Sequence, residues 1–229
     1  MRSARYAKQI LVFKGYFEGK KMFKSLKALE LARRFHGSDK RKDGVTPELA
    51  HQFEVVSFLI QMLDGRVPDE VLDEVIAAAI LHDTPEDKGD EYSCSDLADD
   101  FGEMVFDITC GVTKPKGFKK KDPESYRLYF AGMLQNPFSP MVKGADRVNN
   151  IDTMIGVFTL GGRKWYVEEV ETYFFPMLKA ARRKYPEFFI IYLTIHQVLE
   201  KQIYIMKKLN EMEERFLEYK REHPETPAV

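Results

Sequence analysis

An apolar segment that ends in a histidine and an aspartate constrains the fold of this chain most strongly. Apolar residues within 69–83 (DEVLDEVIAAAILHD) recur at the three- and four-residue steps of a buried helix face. His82 and Asp83 continue that face, and Pro85 predicts that the helix stops there, because proline lacks an N–H and clashes with the preceding turn. The helix should therefore carry an imidazole and a carboxylate inward, where ionised groups are costly unless paired or metal-bound.

Two other predicted helices direct similar side chains inward. His51 shares an apolar face in the helix from Glu48 to about Leu63, and Asp146 does so in 141–154 (MVKGADRVNNIDTM). Singly, these residues have ordinary interpretations, such as a core histidine, a helix cap or a salt bridge. Together, two histidines and two aspartates form a nitrogen and oxygen set suited to Mn²⁺, Fe²⁺ or Zn²⁺.

An acidic pair follows the histidine and aspartate directly. Because Pro85 begins a new turn, Glu86 and Asp87 should lie beside the predicted metal site. A carboxylate in that position can accept the proton of an attacking water, which is the role of a general base. The alternative is a solvated acidic turn without a function.

Helical periodicity dominates the rest of the chain, so the predicted class is all-α. Beyond the segments above, we predict a short strand within 9–17 and helices at 22–36, 95–112, 124–136, 139 to about 161–162, 167–185 and 187 to about 222. The last helix has a heptad-like seam that packs along its own domain or pairs with a second subunit. The seam consists of Ile195, Val198, Gln202, Ile205, Leu209, Met212, Phe216 and Tyr219.

Composition narrows the class of protein. The net charge of −1 over 229 residues gives no general reason to bind a polyanion. No segment resembles a signal peptide or a membrane-spanning helix, and the two cysteines offer no disulfide framework, so we expect a soluble cytoplasmic protein. The lysine-rich segment 114–121 is a solvated loop, a site that attracts a phosphorylated ligand, or a nucleic-acid contact. The scarcity of nearby aromatic residues that could stack on bases argues against the nucleic-acid contact.

The motifs in combination resemble the HD-domain metal phosphohydrolases, and more closely the hydrolase domain of RelA/SpoT-type enzymes and the stand-alone small alarmone hydrolases. The resemblance extends from about Leu26 to Lys184. It rests on five stretches: RRFHGSDKRKDGVTPELAH, AAAILHDTPEDKG, DLADDFGEMVFDITCGVTK, MVKGADRVNNIDTM and VEEVETYFFPML.

The resemblance implies an HD-domain helical bundle and a set of roles. It implies one divalent metal, Mn²⁺ in the first place, with His51, His82, Asp83 and Asp146 as ligands. It implies that Glu86, Asp87 and Asn150 are catalytic, that Arg41, Lys42, Lys143 and Thr153 bind substrate, and that His36 lies outside the metal set.

The implied reaction is hydrolysis of the 3′-pyrophosphate of (p)ppGpp to GDP or GTP and pyrophosphate. Gln52 and Glu48 replace a common proline and aromatic residue, Val148 and Asn149 replace Leu-His, and Pro85 replaces an aliphatic residue. These changes alter the pocket wall, so the alternatives are a deoxynucleotide, the 2′-phosphate of NADPH, or nucleotide binding without turnover.

The resemblance also implies a division of the chain. We expect an N-terminal extension at 1–21, the HD hydrolase domain at 22–186, and a C-terminal helical extension at 187–229 that packs on the domain or forms a homodimer interface.

Overall fold

The computed structural model describes residues 2–120 and 122–223, with side chains from residue 8 onward. Lys121 of the lysine-rich segment and the end of the predicted C-terminal extension, 224–229, lie outside the described residues. Within the described ranges the chain is helical, with no strand, and no helix there is long and apolar enough to cross a membrane. The helices are α1 (Arg2–Gly19), α2 (Phe23–His36), α3 (Glu48–Leu63), α4 (Asp69–Leu81), α5 (Thr84–Asp87), α6 (Cys94–Phe101), α7 (Glu103–Val112), α8 (Pro123–Met133), α9 (Ser139–Thr153), α10 (Leu160–Glu169), α11 (Phe175–Lys184) and α12 (Phe189–Glu222).

Helix α4 is the centre of the bundle. It packs against α2, α3, α7 and α9, and every residue from Val75 to Leu81 is buried. The predicted class, all-α, is confirmed. The α4 helix ends at Leu81, and Pro85 stands in the first turn of the short helix α5, where its missing N–H costs nothing. The chain therefore bends at His82 and Asp83, between α4 and α5, and their side chains point toward the interior of the bundle.

One predicted element type and two predicted helix boundaries are wrong. The expected strand at 9–17 lies in α1, because Ile10, Phe13 and Phe17 recur at helical steps and pack on the core. The expected single helix at 95–112 is two helices that meet at Gly102, whose φ of +86° cannot be part of a helix.

The second wrong helix boundary is at Gly161 and Gly162. We expected a helix to end near them, but α9 ends at Thr153 and both glycines lie in the first turn of α10. The Thr159 side chain accepts a hydrogen bond from Gly162 N at 3.2 Å and caps that turn. The α10 helix continues through a π-helical turn, Val170–Phe174, into α11.

The C-terminal helix α12 packs on α9, α10 and α11 with a face different from the predicted seam. Its buried residues are Ile191, Tyr192, Ile195, Leu199, Ile203, Met206 and Asn210, so Ile195 is the seam residue in the core. Four other seam residues are exposed, namely Ile205, Met212, Phe216 and Tyr219. Helix α12 therefore contacts α9, α10 and α11 mainly through a face that neighbours the predicted seam.

A disulfide joins Cys94 and Cys110, contrary to the expectation from the sequence. Helices α6 and α7 fold back on each other around Gly102, which brings the first residue of α6 beside the last turn of α7, with 6.1 Å between the two Cα atoms. Sixteen residues separate the cysteines, so their proximity depends on this turn and not on a local motif. The prediction of a cytoplasmic location loses the argument that it drew from unpaired cysteines.

Candidate metal and phosphate site

Four side chains meet at the centre of the bundle: His51 from α3, Asp146 from α9, and His82 and Asp83 from the turn between α4 and α5. The Nε2 atoms of His51 and His82 are 3.3 Å apart. Asp83 Oδ2 lies 3.0 Å from His82 Nε2 and 3.7 Å from His51 Nε2. Asp146 Oδ1 lies 3.2 Å from His51 Nε2 and 3.7 Å from His82 Nε2. The structure therefore brings together the four residues for which the sequence predicted a common site.

The spacing of these donor atoms fits one cation. Ligand atoms at about 2.1 Å from a metal and about 90–110° apart lie about 3.0–3.5 Å from each other. The donor atoms of His51, His82 and Asp83 all lie within 4.8 Å of one another. Asp146 adds a second carboxylate, with its Oδ1 within 3.7 Å of both histidine Nε2 atoms. Two imidazoles with two carboxylates suit a borderline divalent ion.

Hydrogen bonds on the far side of each imidazole fix its orientation. His51 Nδ1 lies 2.6 Å from Asn149 Oδ1, and His82 Nδ1 lies 2.8 Å from the Ala79 carbonyl oxygen. An oxygen acceptor at Nδ1 requires a proton there, which leaves Nε2 free to bind a metal. Asn149 was noted in the sequence only as a departure from the family pattern. Its role could not be read locally, because its partner is 98 residues away.

The electrostatics of the site favour a bound positive charge. Burial alone would lower the pKa of His82, but the charges of Asp83 and Asp146 outweigh it and raise that pKa to about 10. Burial opposes ionisation of Asp146, yet Lys143 and the two histidines hold its pKa well below the usual range. The carboxylates that stabilise a proton on His82 are the same groups that would stabilise a cation, which would displace that proton.

Lys143 lies against the same carboxylate. Its Nζ is 2.8 Å from Asp146 Oδ2 and the residue is buried. Burial lowers the pKa of Lys143, but Asp146 and Tyr129 raise it well above its ordinary value. The ammonium group therefore stays charged next to the centre, one helical turn before Asp146 on α9.

The acidic pair lies on α5, directly after Asp83. Glu86 and Asp87 are exposed to solvent at the mouth of the site, and the Asp87 amide donates to the Asp83 carbonyl at 2.9 Å. Partial removal from water, followed by the charge of Asp83, raises the pKa of Asp87. Lys114 Nζ lies 2.8 Å from Glu86 Oε1. One lysine of the segment 114–121 thus reaches the site, which sequence patterns alone did not single out.

A second group of side chains forms the rim of the site. Arg41 donates from Nη2 to Asn150 Oδ1 at 2.8 Å, and Asn150 Nδ2 donates to Asp146 Oδ1 at 2.6 Å. Lys42 is exposed, with its Nζ 4.4 Å from the centre of the Phe158 ring. Arg41 and Asn150 are therefore linked by hydrogen bonds to Asp146, whereas the contact that Lys42 makes among the described residues is with the Phe158 ring.

Two predicted residues lie outside these contacts. Thr153 is exposed and its hydroxyl donates back to the Asn149 carbonyl oxygen at 2.9 Å on its own helix, so no contact links it to the site. His36 is buried and lies 3.3 Å from Thr84 Oγ1 through Nε2, next to Asp83 but outside the metal set. The resemblance implied that His36 lies outside the metal set, whereas the sequence alone did not separate it from His51.

The fold and the donor set together define a helical metalloprotein of the kind that binds a divalent ion through paired histidine and aspartate. The model of the HD domain matches residues 28–159, more than half of the chain. The chain belongs to the HD-domain family.

Several curated proteins are similar in sequence. The guanosine-3′,5′-bis(diphosphate) 3′-pyrophosphohydrolase MESH1 of Danio rerio is 30% identical over 150 residues, which are 65% of this chain and 77% of that protein. The guanosine-3′,5′-bis(diphosphate) 3′-pyrophosphohydrolase of Aquifex aeolicus is 32% identical over 66% of this chain, and the GTP pyrophosphokinase of Streptomyces coelicolor is 34% identical over 56%. The chain spans 20% and 14% of the length of those two longer relatives.

A solved structure shares the fold. It is described as a metazoan ortholog of SpoT that hydrolyses ppGpp, and it matches 78% of this chain and 95% of its own length with a TM-score of 0.58. At 22% identity this likeness shows the fold alone.

Proposed function

We propose that the protein is a metal-dependent phosphohydrolase that removes the 3′-pyrophosphate of (p)ppGpp and releases GDP or GTP and pyrophosphate. The observation that carries the proposal is the convergence of the donor atoms of His51, His82, Asp83 and Asp146 beside an acidic pair and several cations. The names of the Danio rerio and Aquifex aeolicus relatives support the substrate.

The four converging residues are the proposed metal ligands, and Mn²⁺ is the proposed ion, with Fe²⁺ or Zn²⁺ as alternatives. A divalent ion in such a site supplies Lewis acidity, which lowers the pKa of water and polarises a phosphoryl oxygen. The protein contributes fixed donor orientation, because Asn149 and the Ala79 carbonyl oxygen each hold one imidazole in place.

Glu86 and Asp87 are the proposed proton acceptors for the attacking water. Both lie at the open side of the site, one helical turn after Asp83, where a water can reach them. The raised pKa of Asp87 makes it a stronger base than an ordinary aspartate. Lys114 partly neutralises Glu86 at 2.8 Å, which leaves Asp87 as the less compensated carboxylate.

Cations on three sides are the proposed binding groups for phosphate. Lys143 approaches from α9, Lys114 from the segment after α7, and Arg41 and Lys42 from the loop before α3. Charged donors of this kind neutralise phosphate oxygens and stabilise charge that develops in the transition state. Asn150 orients Arg41. Thr153 remains a proposed substrate-binding residue, although its hydroxyl donates a hydrogen bond to its own helix.

The alternative substrates keep the same site. A deoxynucleotide or the 2′-phosphate of NADPH would use the same metal ion and proton acceptors, and the departure at Glu48 lies beside Arg41, a proposed phosphate-binding residue. Binding without turnover is the remaining alternative; the grouping of His51, His82 and Asp83, with Asp146 beside both histidines and the acidic pair directly after Asp83, argues against it.

The test is a substrate panel with a ligand variant. Purified protein with Mn²⁺ is expected to release pyrophosphate from ppGpp, to leave NADPH and dNTPs largely unchanged, and to lose turnover on Asp83→Ala. Product identity is read by chromatography, and bound metal by elemental analysis. Full activity of Asp83→Ala, or phosphate release from NADPH without pyrophosphate release from ppGpp, would contradict the proposal.

The division of the chain and its oligomeric state remain proposals as well. We propose the extensions at 1–21 and 187–229 around an HD domain at 22–186, and pairing of two chains through the exposed residues of α12. Light scattering on the purified protein, with Met212→Lys as a variant, measures whether that helix forms a dimer.

A further inference from the structure

An ion pair at the rim of the site occupies the arginine that is proposed to bind phosphate. Arg41 Nη1 donates to Glu48 Oε1 at 2.8 Å, and Arg41 Nη2 donates to Asn150 Oδ1 at 2.8 Å. Both terminal nitrogens of the guanidinium therefore have an acceptor already. The side chains of Arg41 and Glu48 are 21% and 17% exposed, so the pair is accessible but shielded from bulk water.

The loop between α2 and α3 sets the two residues face to face. The Arg41 amide donates to the Thr46 carbonyl oxygen at 2.8 Å, and the Glu48 amide donates to the Asp39 carbonyl oxygen at 2.9 Å. Gly44, with φ of +69°, makes the turn that this pairing needs. The backbone pairing of the loop thus places the two residues near each other, so their side chains can meet.

The two acceptors of Arg41 differ in how easily they can leave. Asn150 lies on the rigid helix α9 and its Nδ2 is bonded to Asp146 at 2.6 Å. Glu48 lies in the first turn of α3, with a flexible side chain and a full negative charge. A phosphate that binds both terminal nitrogens of an arginine replaces existing acceptors. Glu48 is the acceptor that a phosphate would displace.

We infer that Glu48 is a specificity-determining residue that acts as an internal competitor for Arg41 and weakens the binding of pyrophosphate groups. The inference rests on the proposed function of the site and adds a residue to it. As a consequence, the anionic product leaves more easily. A larger share of the binding affinity must then come from the parts of the ligand other than its pyrophosphate group. Glu48 acts through Arg41, so it is a positioning residue and not a catalytic one.

A double-mutant cycle on ligand binding tests the inference. Glu48→Gln keeps the shape and one acceptor but removes the charge, and Arg41→Gln removes the cation. Pyrophosphate binding is measured by calorimetry on the metal-loaded protein at a fixed free Mn²⁺ concentration. Glu48→Gln is expected to bind pyrophosphate about fivefold more tightly, the scale of a partly shielded ion pair. In the Arg41→Gln background the same change is expected to have less than about half of that effect on the logarithmic scale.

Two controls distinguish competition for Arg41 from two other roles of Glu48, namely a general effect of removing a surface charge and recognition of the nucleotide base. Glu74→Gln removes the charge of a carboxylate that is paired with Lys24 at a similarly shielded surface position, and it should leave pyrophosphate binding unchanged. Guanosine, which has no phosphate, should bind Glu48→Gln and the unmodified protein equally.

Three results of the cycle and its controls, besides an absence of binding, would overturn the inference. They are unchanged or weaker pyrophosphate binding by Glu48→Gln, an equally large gain in the Arg41→Gln background, and a loss of guanosine binding that would make Glu48 a reader of the base. Absence of pyrophosphate binding altogether also overturns it. Failure to hydrolyse ppGpp with the coupling intact would instead count against the proposed function alone.

Discussion

The proposed metal-binding side, which we call the metal-binding side, and the rim of the site are built in different ways. On the metal-binding side, His51, Asp146 and Lys143 come from the long helices α3 and α9, and their side chains are buried and held by further hydrogen bonds. At the rim, Lys42 and Lys114 come from connecting segments, and they contact one ring or one carboxylate each.

The difference follows from what each side has to do. A metal ion needs donor atoms placed within a few tenths of an ångström, and rigid helices with oriented imidazoles provide that. A nucleotide has to enter and leave, and loops with long cationic side chains permit it. Substitutions on the metal-binding side should therefore cost stability and metal affinity, whereas substitutions at the rim should change substrate binding alone.

The largest effect is expected from the buried ion pair that anchors α9 behind the metal site. Arg147 donates to Glu169, both residues are buried, and the Arg147 guanidinium lies 4.7 Å from the centre of the Tyr166 ring. Glu169→Ala leaves Arg147 buried without its partner, which should lower the free energy of unfolding by about 3–5 kcal/mol. Urea denaturation measures it.

An exposed pair nearby gives the matched control. Glu171 pairs with Lys207 at 2.6 Å, with side chains 41% and 47% exposed. Glu171→Ala should cost less than about 1 kcal/mol. The double variant Arg147→Met with Glu169→Leu, which removes both charges, should recover most of the loss. Equal costs for Glu169→Ala and Glu171→Ala would mean that α9 is not anchored by this pair.

An intermediate effect is expected at Asn149, the residue that orients His51. Asn149→Ala removes the acceptor of His51 Nδ1, so the ring can rotate and Mn²⁺ affinity should fall about 10- to 100-fold. Calorimetric titration with Mn²⁺ measures the change in affinity. Asn149→Asp keeps an acceptor and should retain affinity close to that of the unmodified protein. Unchanged Mn²⁺ binding by Asn149→Ala would show that packing alone holds the ring.

The sequence could predict which side chains of the proposed metal site point inward, because helix geometry converts spacing into direction. Leu72, Val75 and Ala79 define the buried face of α4, and the continuation of that face predicts where His82 points. The same reasoning placed His51 and Asp146 inward on two other helices. What local patterns could not give is the distance between helices, and the resemblance to a known family supplied that expectation.

The rim could not be read in this way. The contacts of Arg41 with Asn150 and of Lys114 with Glu86 join residues 109 and 28 positions apart, and both depend on how loops close over the bundle. Glycine conformation was missed for a similar reason. Gly102 divides one predicted helix in two, because a positive φ is decided by the packing of α6 on α7 and not by the apolar pattern.

The smallest effect is expected at Lys42, on the rim. Its ammonium group stands over the Phe158 ring at 4.4 Å and faces solvent, so Lys42→Ala removes one cation from the approach to the site without disturbing the core. KM for ppGpp should rise about fivefold, while Mn²⁺ affinity stays the same and the free energy of unfolding changes by less than about 0.5 kcal/mol. Lys40, exposed two residues earlier, provides the control, and Lys40→Ala should leave KM unchanged. If Lys42→Ala weakened Mn²⁺ binding as much as Asn149→Ala, the rim and the metal-binding side would form one coupled unit, and the division between a rigid metal site and an adaptable rim would be wrong.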